Sequence, residues 1–152
     1  MDKSGIGKGH WIVVCDGRKA LILENVGDRK FPNLRIRETF DHPDLSTHDQ
    51  GVSPPGRSVQ SVGHRRSAVS QTDWHDEAER SFLKKLAERL HSAVETGQVK
   101  AITMVASPRA LGAIRPVYSA TLRHAIVREV AKDLVKQPTD EIERFILSKA
   151  DA

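Results

Sequence analysis

HWIVVCDGRKALILENV, residues 10–26, is two apolar runs joined at Asp16-Gly17. Asp-Gly tolerates the positive φ of a tight turn, so the pair predicts a β-hairpin. Both runs are apolar nearly throughout, as expected of strands covered on both faces. Helices elsewhere in the chain have to provide that cover.

Downstream of a polar turn at residues 28–33, LRIRETFDH alternates strictly from Leu34. Leu34, Ile36, Glu38 and Phe40 fall on one face, and Arg35, Arg37, Thr39 and Asp41 on the other. The pattern predicts a third strand with one wet face, stopped by Pro43. Clear periodicity returns only at TDWHDEAERSFLKKLAERLHSAVETG, residues 72–97. Thr72 or Asp73 caps a helix there, and Asp76, Glu77 and Glu79 lie where its dipole favours anions. Ala78, Phe82, Leu83, Leu86, Leu90 and Val94 make the buried stripe, and Gly97 is the stop.

VKAITMVASP then reads as a short buried strand ended by Pro108. RALGAIRPVYSATLRHA is a helical segment broken at Gly112 and Pro116. IVREVAKDLV could extend that helix, but its β-branched residues alternate with charges well enough to favour a strand, and Pro138, Thr139, Asp140 and Glu141 open a last helix. The expected fold is a single α/β domain over residues 10–152, after a flexible N-terminus at residues 1–9. Its mixed sheet has about five strands: an antiparallel three-strand meander, then βαβα, a ribonuclease-H-like or ribosomal-protein-like order. A long loop over residues 42–72 interrupts it.

Composition sets the bounds on function. The 152 residues carry 24 Lys and Arg against 20 Asp and Glu, a net +4 that leans mildly towards anionic partners. The single cysteine, Cys15, sits in the apolar run WIVVC and reads as a buried hydrophobe rather than a reactive thiol. MDKSGIGKGH has no apolar h-region, and no apolar run approaches the ~20 residues of a membrane span. A cytoplasmic location away from membranes is expected.

The stretch GVSPPGRSVQSVGHRRSAVSQT, residues 51–72, contains no acidic side chain. Arg57, Arg65 and Arg66, with His64 close by, offer guanidinium forks and an imidazole. Ser58 and Ser61 add hydroxyls, and Gly63 loosens the main chain. These residue types suit a phosphate backbone, and they equally suit a solvated loop. Arg109 and Arg115, in SPRALGAIR, flank a strand-to-helix junction whose main-chain N–H groups suit an anion. The carboxylates and imidazoles of Asp41, His42, Asp44, His48 and Asp49 match no established metal spacing, so no metal or other cofactor is expected. The absence of an acid at the end of the fourth strand disfavours a two-metal nuclease, and no Gly-x-Ser-x-Gly elbow appears.

Taken in order, these pieces resemble the bacterial host attachment protein family. The resemblance rests on the WIVV strand with Asp-Gly-Arg and on Gly-Arg-Ser…Ser-Val-Gly…Arg in the loop. DWHDEAE…F…LAERL, VASPRALGAIRPVY and VAKDLVKQPTDEI continue it, from about residue 10 to residue 148. Members are similar to the middle domain of archaeal and eukaryotic class I release factors. That likeness implies a ribosome or tRNA partner in translation stress or rescue, with residues 51–72 as the working part. In release factors a Gly-Gly-Gln tip enters the peptidyl-transferase centre; here Gln50-Gly51, Gln60 and Gln71 occur without that tripeptide. Peptidyl-tRNA hydrolysis therefore does not carry over, and a binder is expected rather than an enzyme. The alternative is a non-catalytic protein-interaction factor that affects attachment to host cells or surfaces indirectly.

Overall fold

The computed structural model describes residues 6–41 and 57–151, with side chains described for residues 6–41 and 76–148. Five strands form one sheet: β1 (Trp11–Cys15), β2 (Lys19–Asn25), β3 (Leu34–Asp41), β4 (Ile102–Ala106) and β5 (Ile126–Ala131). Their order is β3-β2-β1-β4-β5. The first three pair antiparallel, and β4 is parallel to β1 and β5 to β4. This is the order expected from the sequence. The central position of β1 explains its unbroken apolar run: every residue from Trp11 to Cys15 is buried.

The hairpin forms where Asp16-Gly17 places it, by a different device. Gly17 does not adopt a positive φ. Asp16 Oδ1 accepts the N–H groups of Arg18 and Lys19 at 2.8 and 2.9 Å, and the Asp16 N–H reaches the Lys19 carbonyl at 3.0 Å. Gly17 is small because Glu79 lies against it. A Cβ there would meet Glu79 Cδ at 2.7 Å.

Strand β3 departs from its alternating pattern. Ile22 pairs with Glu38 but Leu23 pairs with Ile36, so Arg37 is an extra residue in a bulge. A bulge swaps the faces on either side of it. Leu34 accordingly joins the core on one side of the sheet, while Phe40 packs on the other.

Among the described residues, four α-helices accompany the sheet: α1 (Arg57–Glu95), α2 (Pro108–Ile114), α3 (Ala120–Ala125) and α4 (Thr139–Asp151). The 3₁₀ turn Arg115–Val117, containing Pro116, separates α2 from α3. Gly112 does not break α2; proline does, by removing a backbone donor. On one face, α1, α2 and α3 bury Phe82, Leu86, Leu90, Leu111, Ile114 and Leu122 against Trp11, Val13, Ile22 and Met104. On the other face, α4 packs Ile142 and Ile146 on Ile12, Val14, Leu23 and Val105. Leu86 and Leu90 are fully buried, so truncating either to Ala costs about 2–5 kcal/mol. Gly97, at φ +82°, ends α1 as expected, its N–H bonded to the Val94 carbonyl and that of Gln98 to the Ala93 carbonyl.

Two boundaries differ from those read in the sequence. Residues 57–72, expected within the long loop, are the first turns of α1. They lack apolar periodicity, but a helix already nucleated by its packed half extends at little cost through small and basic residues. Residues 6–9, expected in a flexible N-terminus, are tied down. Ile6 is buried with the α4-side core, and the Gly9 N–H donates to the Asn25 carbonyl at 2.9 Å. Residues 42–56 lie outside the described residues, and so do His42, Asp44, His48 and Asp49 of the Asp/His cluster.

Candidate functional site

The basic positions Arg57, Ser58, Ser61, Gly63, His64, Arg65 and Arg66 all lie on helical backbone in the first three turns of α1. Their side chains lie outside the described ones. Among the described side chains, the stripe that anchors α1 to the sheet runs from Ala78, six turns along, through Leu90.

Arg109 and Arg115 are described in full, and both are engaged by carboxylates. Pro108 opens α2 and Ser107 caps it, its hydroxyl accepting the Ala110 N–H at 3.3 Å. Arg109 projects from this first turn towards α1. Its Nη2 donates to Asp76 Oδ1 at 2.6 Å and its Nε lies 3.2 Å from Glu79 Oε1. The three groups wall a cleft of about 470 Å³ completed by Arg80, Gly112, Ala113, Pro116 and Val117. The junction thus carries a closed ion-pair set, and its arginine is already matched by two acids.

Arg115 belongs to a second cluster beside the edge strand β5. Its Nη2 lies 2.7 Å from Glu129 Oε1, and Tyr118 Oη donates to Glu129 Oε2 at 2.9 Å. Arg123 stacks over the Tyr118 ring at 5.7 Å from the centroid. Together with Ile126, Val127 and Arg128 these residues line a cleft of about 330 Å³. The Arg115 hydrogen bond holds the Glu129 carboxyl below its usual range, with the Tyr118 hydrogen bond acting the same way. Burial, then the bond to Glu129, pushes the Tyr118 hydroxyl far up. Neither changes protonation near neutrality, so this cleft offers fixed charge and guanidinium donors rather than proton transfer. Three arginines against one carboxylate leave it net positive.

Sequence reasoning named Arg115 and missed Tyr118, Arg123, Arg128 and Glu129 as its neighbours. The cluster exists because the 3₁₀ turn and α3 return the chain to β5, bringing residue 115 against residue 129. No spacing motif encodes that approach. Among the described residues no group of three or more His, Cys, Asp or Glu is placed to hold a metal ion. No helix among them is long and apolar enough to cross a membrane.

Comparison with known proteins follows the same extent of chain. The family described as "Protein required for attachment to host cells" matches residues 11–146, from the first residue of β1 into α4. The chain belongs to that family. A relative from Rickettsia prowazekii (strain Madrid E), the uncharacterised protein RP470, is 26% identical over 140 residues, covering 90% of this chain and 91% of its own. Among solved structures, the ethanolamine utilization protein EutJ of Carboxydothermus hydrogenoformans aligns over 88% of this chain and 47% of its own, with a TM-score of 0.40 and 14% identity. The chain therefore spans about half the length of that structure. The matched residues of the host-attachment family include both arginine clefts and the whole basic run of α1.

Proposed function

We propose that this host-attachment family protein binds RNA, with tRNA or the ribosome as its partner in translation stress or rescue. The observation that carries this reading is the acid-free run of residues 51–72, most of which continues into α1 as helix. The first turns of α1, residues 57–72, carry Arg57, Arg65 and Arg66 and no carboxylate, which suits the negative potential of a nucleic-acid backbone. Each cation that meets a phosphate releases a counterion, so binding is expected to weaken steeply with salt. The reading is one of binding, because the chain has no Gly-Gly-Gln tripeptide to place water at a peptidyl ester.

The test is a gel shift with tRNA at low and moderate salt, together with sedimentation of lysate through a sucrose gradient. Wild type should shift tRNA and travel with ribosomal fractions, and Arg65→Ala/Arg66→Ala should weaken both. A protein that ignores tRNA at low salt and stays at the top of the gradient overturns the reading.

A second reading, a non-catalytic protein-interaction factor, draws on a different observation. Val127 on the edge strand β5 is 59% exposed, and Val117, in the 3₁₀ turn, is also exposed. Edge backbone with exposed apolar side chains suits pairing with another chain. Crosslinking followed by nuclease treatment separates the two readings. A partner recovered undiminished after nuclease favours protein; RNA-dependent recovery favours the first.

A further inference from the structure

A third cleft, of about 420 Å³, lies at the end of the sheet opposite the Asp16-Gly17 turn. Its walls are residues 7–10, leading into β1, residues 97–101, leading into β4, and Arg29 from the β2–β3 connection. The other two clefts have carboxylates in their walls, Glu129 in one and Asp76 and Glu79 in the other. This one is lined by Lys8, Arg29 and Lys100 with no carboxylate among its lining residues. Lys8 and Lys100 are exposed, and neither makes an ion pair among the described residues.

The main chain leaves room for an anion as well. Gly9 and Gly97 both hold left-handed backbone, at φ +84° and +82°, with open space where a Cβ would stand, so neither rim turn puts a side chain there. Arg29 lies against Gly7, where an added Cβ would stand 3.2 Å from Nη2. The carbonyls at the end of α1, which would repel an anion, are partly occupied: those of Ala93 and Val94 accept the Gln98 and Gly97 N–H groups. The floor is His10, buried, with Nε2 2.8 Å from Thr103 Oγ1. Burial first, then the positive charges of Arg128 and Arg29, hold its imidazole down at about 4, so it adds no charge of its own at neutral pH. The lining contains no Phe, Tyr or Trp and only Val99 as a large apolar side chain, and its one ring, His10, is buried and bonded to Thr103, which leaves no platform for a nucleobase.

We propose that this cleft binds the phosphoryl group of a small phosphomonoester with a polar body, through Lys8, Lys100 and Arg29. The volume exceeds what a phosphate ion needs, and the side-chain amide of Gln98 offers hydrogen bonds to hydroxyl groups. The site does not depend on the basic run of α1, which begins at the other end of that helix.

The test follows backbone amide chemical shifts during titration at fixed ionic strength with inorganic phosphate, glucose 6-phosphate and glucose. Saturable shifts should concentrate at Gly7, Gly9, Gly97 and Lys100 with both phosphorylated probes and be absent with glucose. Lys8→Ala/Lys100→Ala, two exposed positions, should weaken phosphate binding roughly tenfold or more. Arg65→Ala/Arg66→Ala should leave it unchanged, which separates this site from the RNA reading. Shifts spread over the whole surface, or equal affinity in the lysine double variant, overturn the proposal. A further arm compares a short RNA with and without a 5′-phosphate. If RNA binds at these amides regardless of its terminal phosphate and glucose 6-phosphate does not, the cleft is part of a polyanion surface and the proposal fails.

Discussion

Arg89 of α1 grips Glu38 of the edge strand with two hydrogen bonds, Nη2–Oε2 at 2.7 Å and Nε–Oε1 at 3.2 Å. The same guanidinium lies 5.8 Å from the centroid of the buried Trp11 ring, and Arg37 lies over that ring at 5.0 Å. Among the described residues the Trp11 indole N–H has no hydrogen-bond partner. A charge-assisted fork over an aromatic face is stronger than an ordinary surface pair. Arg89→Ala is therefore expected to cost about 1–2 kcal/mol, and Arg89→Lys most of that, because an ammonium cannot reproduce the fork. Urea unfolding followed by circular dichroism, in a double-mutant cycle with Glu38→Ala, measures the coupling. Additive single-variant losses would show that the contact contributes nothing.

This contact also marks where sequence reading stops. Hydrophobic runs and turn residues were enough to place β1, β2, β4 and the stripe from Ala78 to Leu90, because burial dictates residue type at each position; β5, with no fully buried residue, is marked only by its alternation of β-branched and charged residues. The strict alternation of residues 34–41 read as one uninterrupted strand. The bulge at Arg37 is invisible in it, because inserting a residue changes the face without changing the pattern. It turns Arg37 towards Trp11 and Glu24. The start of α1 was hidden for the opposite reason: residues 57–72 carry no apolar period, and their helicity extends from the packed half. Arg109 and Arg115 stood out as cations, but their acids lie far along the chain at Asp76 and Glu129. Only the folded chain brings them together.

Asn25 is a structural residue that composition does not single out. It is fully buried, and its Nδ2 donates to the carbonyls of Ile6, Gly7 and Asp28 at 3.3, 3.0 and 3.2 Å. Its Oδ1 accepts the N–H groups of Gly27 and Asn33 at 3.0 and 2.8 Å. Asn25→Asp replaces a donor facing three carbonyls with an acceptor, so it should cost more than Asn25→Ala, itself about 2–4 kcal/mol. Denaturant melts rank the two variants. Since Asn25 holds residues 6 and 7 in place, both should also weaken phosphate binding at the adjoining cleft.

Two glycines should respond in opposite directions to alanine. At Gly27 a Cβ would stand 2.2 Å from the Phe31 carbonyl oxygen, a backbone atom that cannot swing aside. Gly27→Ala is expected to destabilise by about 1–3 kcal/mol or more. Gly112 sits inside α2 with open space around its Cβ position. Gly112→Ala should stabilise by about 0.5–1 kcal/mol, through reduced freedom of the unfolded chain and better helix propensity. Thermal melts of the pair check both signs, and a destabilised Gly112→Ala would refute the second.

The chain's single cysteine provides a probe of global opening. Cys15 is fully buried in β1, and burial, assisted by the negative charges of Asp16 and Asp133, pushes its thiol up to about 12. The thiolate is the reactive form, so an aromatic disulfide reagent should leave the native protein unlabelled at neutral pH. Labelling should appear with unfolding and share its urea midpoint. Rapid labelling in the absence of denaturant would contradict this placement of β1.

His10 should make the protein lose stability in mild acid. Its imidazole is held at about 4 in the folded chain, against an ordinary value of 6.5. Between those two values the unfolded chain takes up a proton that the folded chain refuses. By linkage, the stability His10 contributes is complete above about 6.5, falls as pH drops through that window, and is exhausted below about 4. Glu129, held low chiefly by its bond to Arg115, adds its own loss only further down, below the ordinary carboxylate value of 4.5. Urea unfolding at several pH values from neutrality down to about 5 isolates the histidine. His10→Asn should lower stability at neutral pH, by disturbing the bond to Thr103, yet flatten the slope across that range. A slope unchanged by the substitution would place the acid sensitivity elsewhere.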